Sequence, residues 1–135
     1  MHVDGGCHCG HIAYRAEIDP ERVVVCHCTD CQILSGSAFR VVAFTQEDAF
    51  SVTRGMPATY VKIAESGRAR EQGFCANCGT QLYATATGPG PKVYGLRVGT
   101  IHQRDLLKPA RQVWNRSRQG WVDDLHDLPA VDGQP

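Results

Sequence analysis

The chain has 135 residues, 42% of them hydrophobic and 21% charged, which suits a single domain over 1–135 with a modest core. Its 14 basic and 14 acidic side chains cancel to a formal net charge of zero, so no electrostatic footprint for nucleic acid is present. No apolar run approaches the roughly 18 residues of a membrane span, and MHVDGGCHCG lacks the charged and apolar regions of a signal peptide; the expectation is a cytoplasmic protein with no membrane or nucleic-acid partner.

The predicted elements are mostly strands. HIAYRAE (11–17) alternates Ile12, Tyr14 and Ala16 with mostly polar neighbours, and RVVVC (22–26) is a β-branched run. AFRVVAF (38–44), ATYVKIAE (58–65), QLYATAT (81–87) and VYGLRVGTI (93–101) follow, with ARQVWNR (110–116) as a further candidate. Thr45 followed by Asp48 resembles a capping box and predicts one helical turn across QEDAF. QRDLL (103–107) reads as another short helical turn. Arg54-Gly55-Met56-Pro57 and Gly88-Pro89-Gly90-Pro91 read as loops, and the tail AVDGQP (130–135) as frayed. Short strands punctuated by Gly and Pro imply a mainly β fold with little helix.

Seven cysteines stand in three tight clusters: Cys7 and Cys9; Cys26, Cys28 and Cys31; Cys75 and Cys78. An odd count without a secretion signal argues against a disulfide framework, and clustering argues against scattered buried thiols. Metal binding is the remaining reading. In Cys7-His8-Cys9-Gly10 and Cys75-Ala76-Asn77-Cys78-Gly79 a glycine follows the second cysteine. A metal-binding turn that aims backbone N–H groups at sulfur bends sharply, often through φ > 0, where glycine fits best. The two pairs together therefore read as one closed, structural four-cysteine zinc site. A redox role for CANC would need a βαβ setting, which the flanking strands do not supply.

The triplet CHCTDC is then left with three thiols. In extended chain, Cys26 and Cys28 share a face and His27 points away, so His27 is a poor fourth ligand. Three protein ligands and an open position is the pattern of a catalytic zinc. Two alternatives stay open: closure by His8, His11 or His102, or a metal-free redox triplet. Zinc with three thiolates carries a formal charge of −1 and suits an incoming sulfur better than hydroxide formation. A bound thiolate would call for nearby cations, with Arg40 and Arg54 as candidates.

GGCHCGHIAYRAE, CHCTDCQILSGSAF and GFCANCGTQLY, with a later VGTI and VWNRS…GW…DLP, resemble the GFA family. These are the glutathione-dependent formaldehyde-activating enzymes and the centromere-protein-V-like domains. The resemblance runs over about residues 5–129 and covers all seven cysteines. It implies a β-tent fold, a structural zinc on Cys7, Cys9, Cys75 and Cys78, and a catalytic zinc on Cys26, Cys28 and Cys31. It implies a carbon–sulfur lyase that joins formaldehyde to glutathione as S-hydroxymethylglutathione. Relatives often carry a histidine where this chain has Gln112, before Val113-Trp114. The resulting expectation is a zinc-dependent lyase taking a small thiol and an aldehyde, with His8, His11 and His27 as candidate proton donors. A non-catalytic thiol-binding module and a structural interaction domain are the rival readings.

Overall fold

The structure, a computed structural model, describes residues 1–134. It is mainly β, as expected. The strands are β1 (His2–Gly6), β2 (Ala13–Cys26), β3 (Arg40–Arg54), β4 (Ala58–Ile63), β5 (Ala69–Phe74), β6 (Gln81–Ala86), β7 (Gly95–Arg97) and β8 (Arg111–Val113), and the one α-helix among the described residues is α1 (Thr29–Ser35). They form one sheet in the order β1-β2-β3-β7-β6-β5-β4, antiparallel along this path, with β8 parallel to β2.

Two of the strands are long. HIAYRAE and RVVVC fuse into the 14 residues of β2, which passes Asp19-Pro20 by shifting register against β3. The helical turn expected across QEDAF does not form; β3 runs through it. Thr45 does not cap Asp48. Its N–H and hydroxyl instead pair with the Tyr94 carbonyl and N–H. Asp48 takes φ 54 and pairs its N–H and carboxylate with Lys92, so cross-strand hydrogen bonds outweigh the local cap. VYGLRVGTI is strand only over β7. A 3₁₀ turn follows at Val98–Thr100, and the turn read at QRDLL is 3₁₀ over Arg104–Leu106. Residues 130–134 are exposed and irregular. Pro135, the end of the tail expected to fray, lies outside the described residues.

Register divides the sheet into two faces, because residues opposite one another on neighbouring strands point the same way. On one face Val23, Ala43, Leu96, Tyr83 and Gly73 follow one another across β2, β3, β7, β6 and β5. This face belongs to the core, with Ile12, Tyr14, Ile18, Leu82 and Ile101 packed around it. Gly73 is required there, since a Cβ would strike the Tyr83 ring. On the other face lie Val24 and Cys26, then Arg40, Val42 and Phe44, then Gly95 and Arg97, then Ala84, and then Arg70 and Gln72. The small residues Gly95 and Ala84 stand in the middle of this second face and line the hollow over it.

Candidate metal centres

The loops joining β1 to β2 and β5 to β6 are two similar knuckles. Gly10 N–H donates to the Cys7 carbonyl at 3.1 Å, and Gly79 N–H to the Cys75 carbonyl at 2.8 Å. Both glycines have φ 78, the conformation the sequence asked of them. The His8 N–H donates to the Thr80 hydroxyl at 3.1 Å and ties the knuckles together. Cys7, Cys9, Cys75 and Cys78 bring all four sulfurs within 4.8 Å of one another. The Cys7–Cys9 and Cys9–Cys75 sulfur separations are 3.6 and 3.8 Å. A tetrahedron of Zn–S bonds near 2.3 Å has edges of about 3.8 Å, so the donor set fits zinc in chemistry and in size. The Ile12 N–H donates to the Cys7 sulfur at 3.2 Å. The Thr80 hydroxyl, 3.2 Å from the Cys78 sulfur, is the main reason its thiol is pulled down to about 5.

Cys26, Cys28 and Cys31 form the second group, again within 4.8 Å, and no histidine, aspartate or glutamate among the described residues joins it. Cys26 ends β2. Cys28 is the N-cap of α1, its sulfur accepting the Cys31 N–H at 3.3 Å, and Gly36 closes the helix at φ 63. The short helix, absent from the sequence reading, is what returns Cys31 to its partners. The hydrogen bond between Cys31 and Cys26 holds the Cys26 thiol below its ordinary value and pushes Cys31 up. Burial raises Cys28.

The histidines lie elsewhere. His8 and His11 belong to the first knuckle, beside Cys9. His102 faces Asp4 at 3.4 Å. His27 points away from the triplet and is fully buried, its Nε2 donating to Gln112 Oε1 at 2.6 Å and its ring edge-on to Phe39. Arg54 is not a cation of the triplet. It stands at the far end of β3 from Arg40 and donates twice to the Gly10 carbonyl, at 3.0 and 2.7 Å.

The triplet opens onto a cleft of about 350 Å³ whose floor is the hollow face of the sheet. Arg40, Lys62, Arg68, Arg70 and Arg97 border it, with no carboxylate among the described residues, and Val113 and Trp114 form a wall. Arg40 is opposite Cys26 in register. Arg97, on the next strand, donates to Gln72 Oε1 at 2.7 Å. Burial, then the charge of Arg40, pushes the Arg97 guanidinium down to about 9, while the triplet thiolates support it. Lys62 pairs with Asp30 at 2.9 Å. Trp114 sits in the left-handed region at φ 56, a conformation rare for a bulky residue. The sequence reading missed Arg97 and Gln72. A cation inside an apolar strand, as in VYGLRVG, was the available signal for the first; Gln72 carried none.

Comparisons with known proteins agree with this architecture. An uncharacterized lyase of Schizosaccharomyces pombe is 36% identical over 89 residues, a match covering 65% of this chain and 61% of that protein, so the chain spans about three-fifths of the relative's length. A crystal structure of a Rhodobacter sphaeroides protein superposes with a TM-score of 0.61 at 21% identity, covering 82% of this chain and 99% of the other, and shows a shared fold. The family model of the glutathione-dependent formaldehyde-activating enzymes matches residues 2–117, a span that contains both cysteine groups and every cation of the cleft. The chain belongs to the GFA family.

Proposed function

We propose that the protein is a GFA-type carbon–sulfur lyase that adds a small, glutathione-like thiol to an aldehyde such as formaldehyde, or releases it. Cys7, Cys9, Cys75 and Cys78 would hold a structural zinc, and Cys26, Cys28 and Cys31 a catalytic one. The observation that carries this reading is the convergence of three thiols, with no histidine, carboxylate or further cysteine among the described residues to complete the set, in a cleft bordered by five cations. Zinc bound there would supply a soft position for a substrate sulfur and favour its thiolate form.

The chain's own residues account for the rest. Arg40 and Arg97 offset the negative charge of the thiolates and of a substrate sulfur beside them. Val113, Trp114 and Phe44 narrow the cleft and exclude part of its water. As sulfur attacks the carbonyl carbon, the S–C bond forms, the C=O π bond opens, and the oxygen becomes an alkoxide facing the same guanidinium groups. No histidine among the described residues borders the cleft, so the alkoxide is stabilised by charge and takes its proton from water. The lyase name of the yeast relative and the family description support this class of reaction. A soluble, cytoplasmic setting with small-molecule partners goes with it.

The test combines binding and turnover. Cobalt placed in the triplet should change its sulfur-to-cobalt charge-transfer bands when a thiol is added, and the loaded protein should accelerate thiol addition to formaldehyde. Altered spectra with no acceleration would make the protein a thiol-binding module. Unchanged spectra, with cobalt demonstrably in the triplet, would make it a structural domain.

A further inference from the structure

The cleft holds more donors than thiol binding uses. Three buried polar atoms of residues that line it have no partner: Arg40 Nη2, Arg97 Nε and Gln72 Nε2. Their residues are only 6, 8 and 2% exposed. Because Gln72 Oε1 accepts from Arg97 Nη2, its amide is fixed with the NH₂ group free. All three atoms are donors, and buried donors without acceptors are uncommon and unfavourable. Register puts all three side chains on the hollow face: Arg40 opposite Cys26, Arg97 opposite Val42, Gln72 opposite Ala84.

Charge points the same way. Lys62 is matched by Asp30, but Arg40, Arg68, Arg70 and Arg97 have no carboxylate partner among the described residues. Zinc with three thiolates is −1, and a substrate thiolate adds one more negative charge. Two positive charges remain over. A planar oxyanion, offered guanidinium and amide donors together, is the ligand such a set recognises.

We propose that Arg40, Arg97 and Gln72 form a carboxylate-binding subsite for the carbonyl reactant, so that the preferred aldehyde is a short 2-oxo acid of the glyoxylate type. This rests on the lyase reading above and names its substrate class. Proximity assigns the carboxylate to the carbonyl compound. Arg40 is opposite Cys26 in register and Arg97 stands on the adjoining strand of the same cleft, so an anion seated on them lies close to the carbon that sulfur attacks. A 2-oxo acid carries its carboxylate one bond from that carbon. The thiol has another way out: a second groove shares Cys28, Lys62, Ala64 and Trp114 with the cleft and none of its arginines. The chemistry balances without a further reagent. The S–C bond forms, the carbonyl π bond opens, the thiol proton ends on the new hydroxyl, and the carboxylate is unchanged.

The experiment uses the zinc-loaded protein and two arms. In the first, enzyme-to-background rate ratios are compared for glyoxylate and formaldehyde with 2-mercaptoethanol, and for mercaptoacetate and 2-mercaptoethanol with formaldehyde. At least a tenfold preference for glyoxylate is expected, with little preference between the thiols. In the second, acetate should saturably shift arginine Nε–H resonances and acetamide should not. Arg97→Gln should abolish both the preference and the acetate response. Gln72→Glu, which sets a carboxylate of the same length among the donors, should abolish the acetate response by filling the subsite, and it serves if Arg97→Gln does not fold. A preference that follows mercaptoacetate and ignores the aldehyde would overturn the assignment to the carbonyl reactant. Turnover without any preference, or equal acetate binding in wild type and Gln72→Glu, would overturn the subsite alone. Absence of turnover with every pair would instead bring down the lyase reading.

Discussion

His27 Nε2 and Gln112 Oε1 lie 2.6 Å apart across the parallel pairing of β2 and β8. His27 stands between two triplet cysteines, yet its side chain is on the opposite face, and His27 N–H also donates to the Val113 carbonyl at 3.1 Å. Gln112 therefore anchors the peptide that spaces Cys26 from Cys28. Gln32 adds to this by donating to the His27 carbonyl and the Ser117 carbonyl, both at 2.9 Å.

Gln112→Leu should leave the buried imidazole without a partner on either nitrogen, since Nδ1 already has none. The expected loss is about 1–3 kcal/mol of folding stability, read from urea unfolding. Metal retention at the triplet should weaken with it, because the Cys26–Cys28 spacing is no longer held. A variant as stable as the wild type would show that the bond contributes little.

Cys28 caps α1 and, on the proposed reading, would also be a metal ligand, and the two roles separate by substitution. Serine is a good N-cap, so Cys28→Ser should keep α1 and the fold while losing a soft ligand and thiol binding. Cys28→Ala should lose the cap as well, at about 1 kcal/mol. Cys78→Ser should be more damaging than either, because the four-cysteine group joins segments 66 positions apart and the affinity of a metal held there would be folding free energy. Thermal melts rank the three. Cys28→Ser melting below Cys78→Ser would reverse the assignment of the two sites.

Chelator should remove metal in two steps. Elemental analysis of protein prepared without chelator is expected to give up to two zinc ions per chain. The first to leave should be that of the triplet, which has one ligand fewer and opens onto the cleft. Removing the second should lower the melting temperature sharply. Protein with no metal at all would contradict both centres.

Tyr14 sets an alkaline limit to stability. Burial above all raises its hydroxyl to about 12, with a 2.7 Å bond to Thr100 opposing. For an acid whose folded pKa lies above its unfolded value near 10, the folded state holds the more protons in that window, so stability falls as pH rises through it. Between pH 9 and pH 11 this residue should account for a loss of about 1 kcal/mol. Tyr14→Phe should be less stable at neutral pH by about 1 kcal/mol for the lost hydrogen bond, yet show a shallower decline above pH 9. Parallel declines in urea unfolding would assign the alkaline loss elsewhere.

Both cysteine groups were legible in the sequence because their signals are local. Gly10 and Gly79 mark knuckles since only a sharp bend aims N–H groups at sulfur, and the alternation of extended chain already turns His27 away from Cys26 and Cys28. The main strands were legible for the same reason: period-two alternation and β-branched runs are properties of neighbouring residues. The tertiary structure decided what depends on partners distant in the chain. Thr45 and Asp48 read as a cap, but Tyr94 and Lys92 claim them for the sheet. Arg40 and Arg54 looked equivalent, and the length of β3 sends one to each cysteine group. The floor of Arg40, Arg97 and Gln72 exists only because β2, β3, β7, β6 and β5 lie side by side in one register, and a register between strands is set by packing across the sheet, which no single segment encodes.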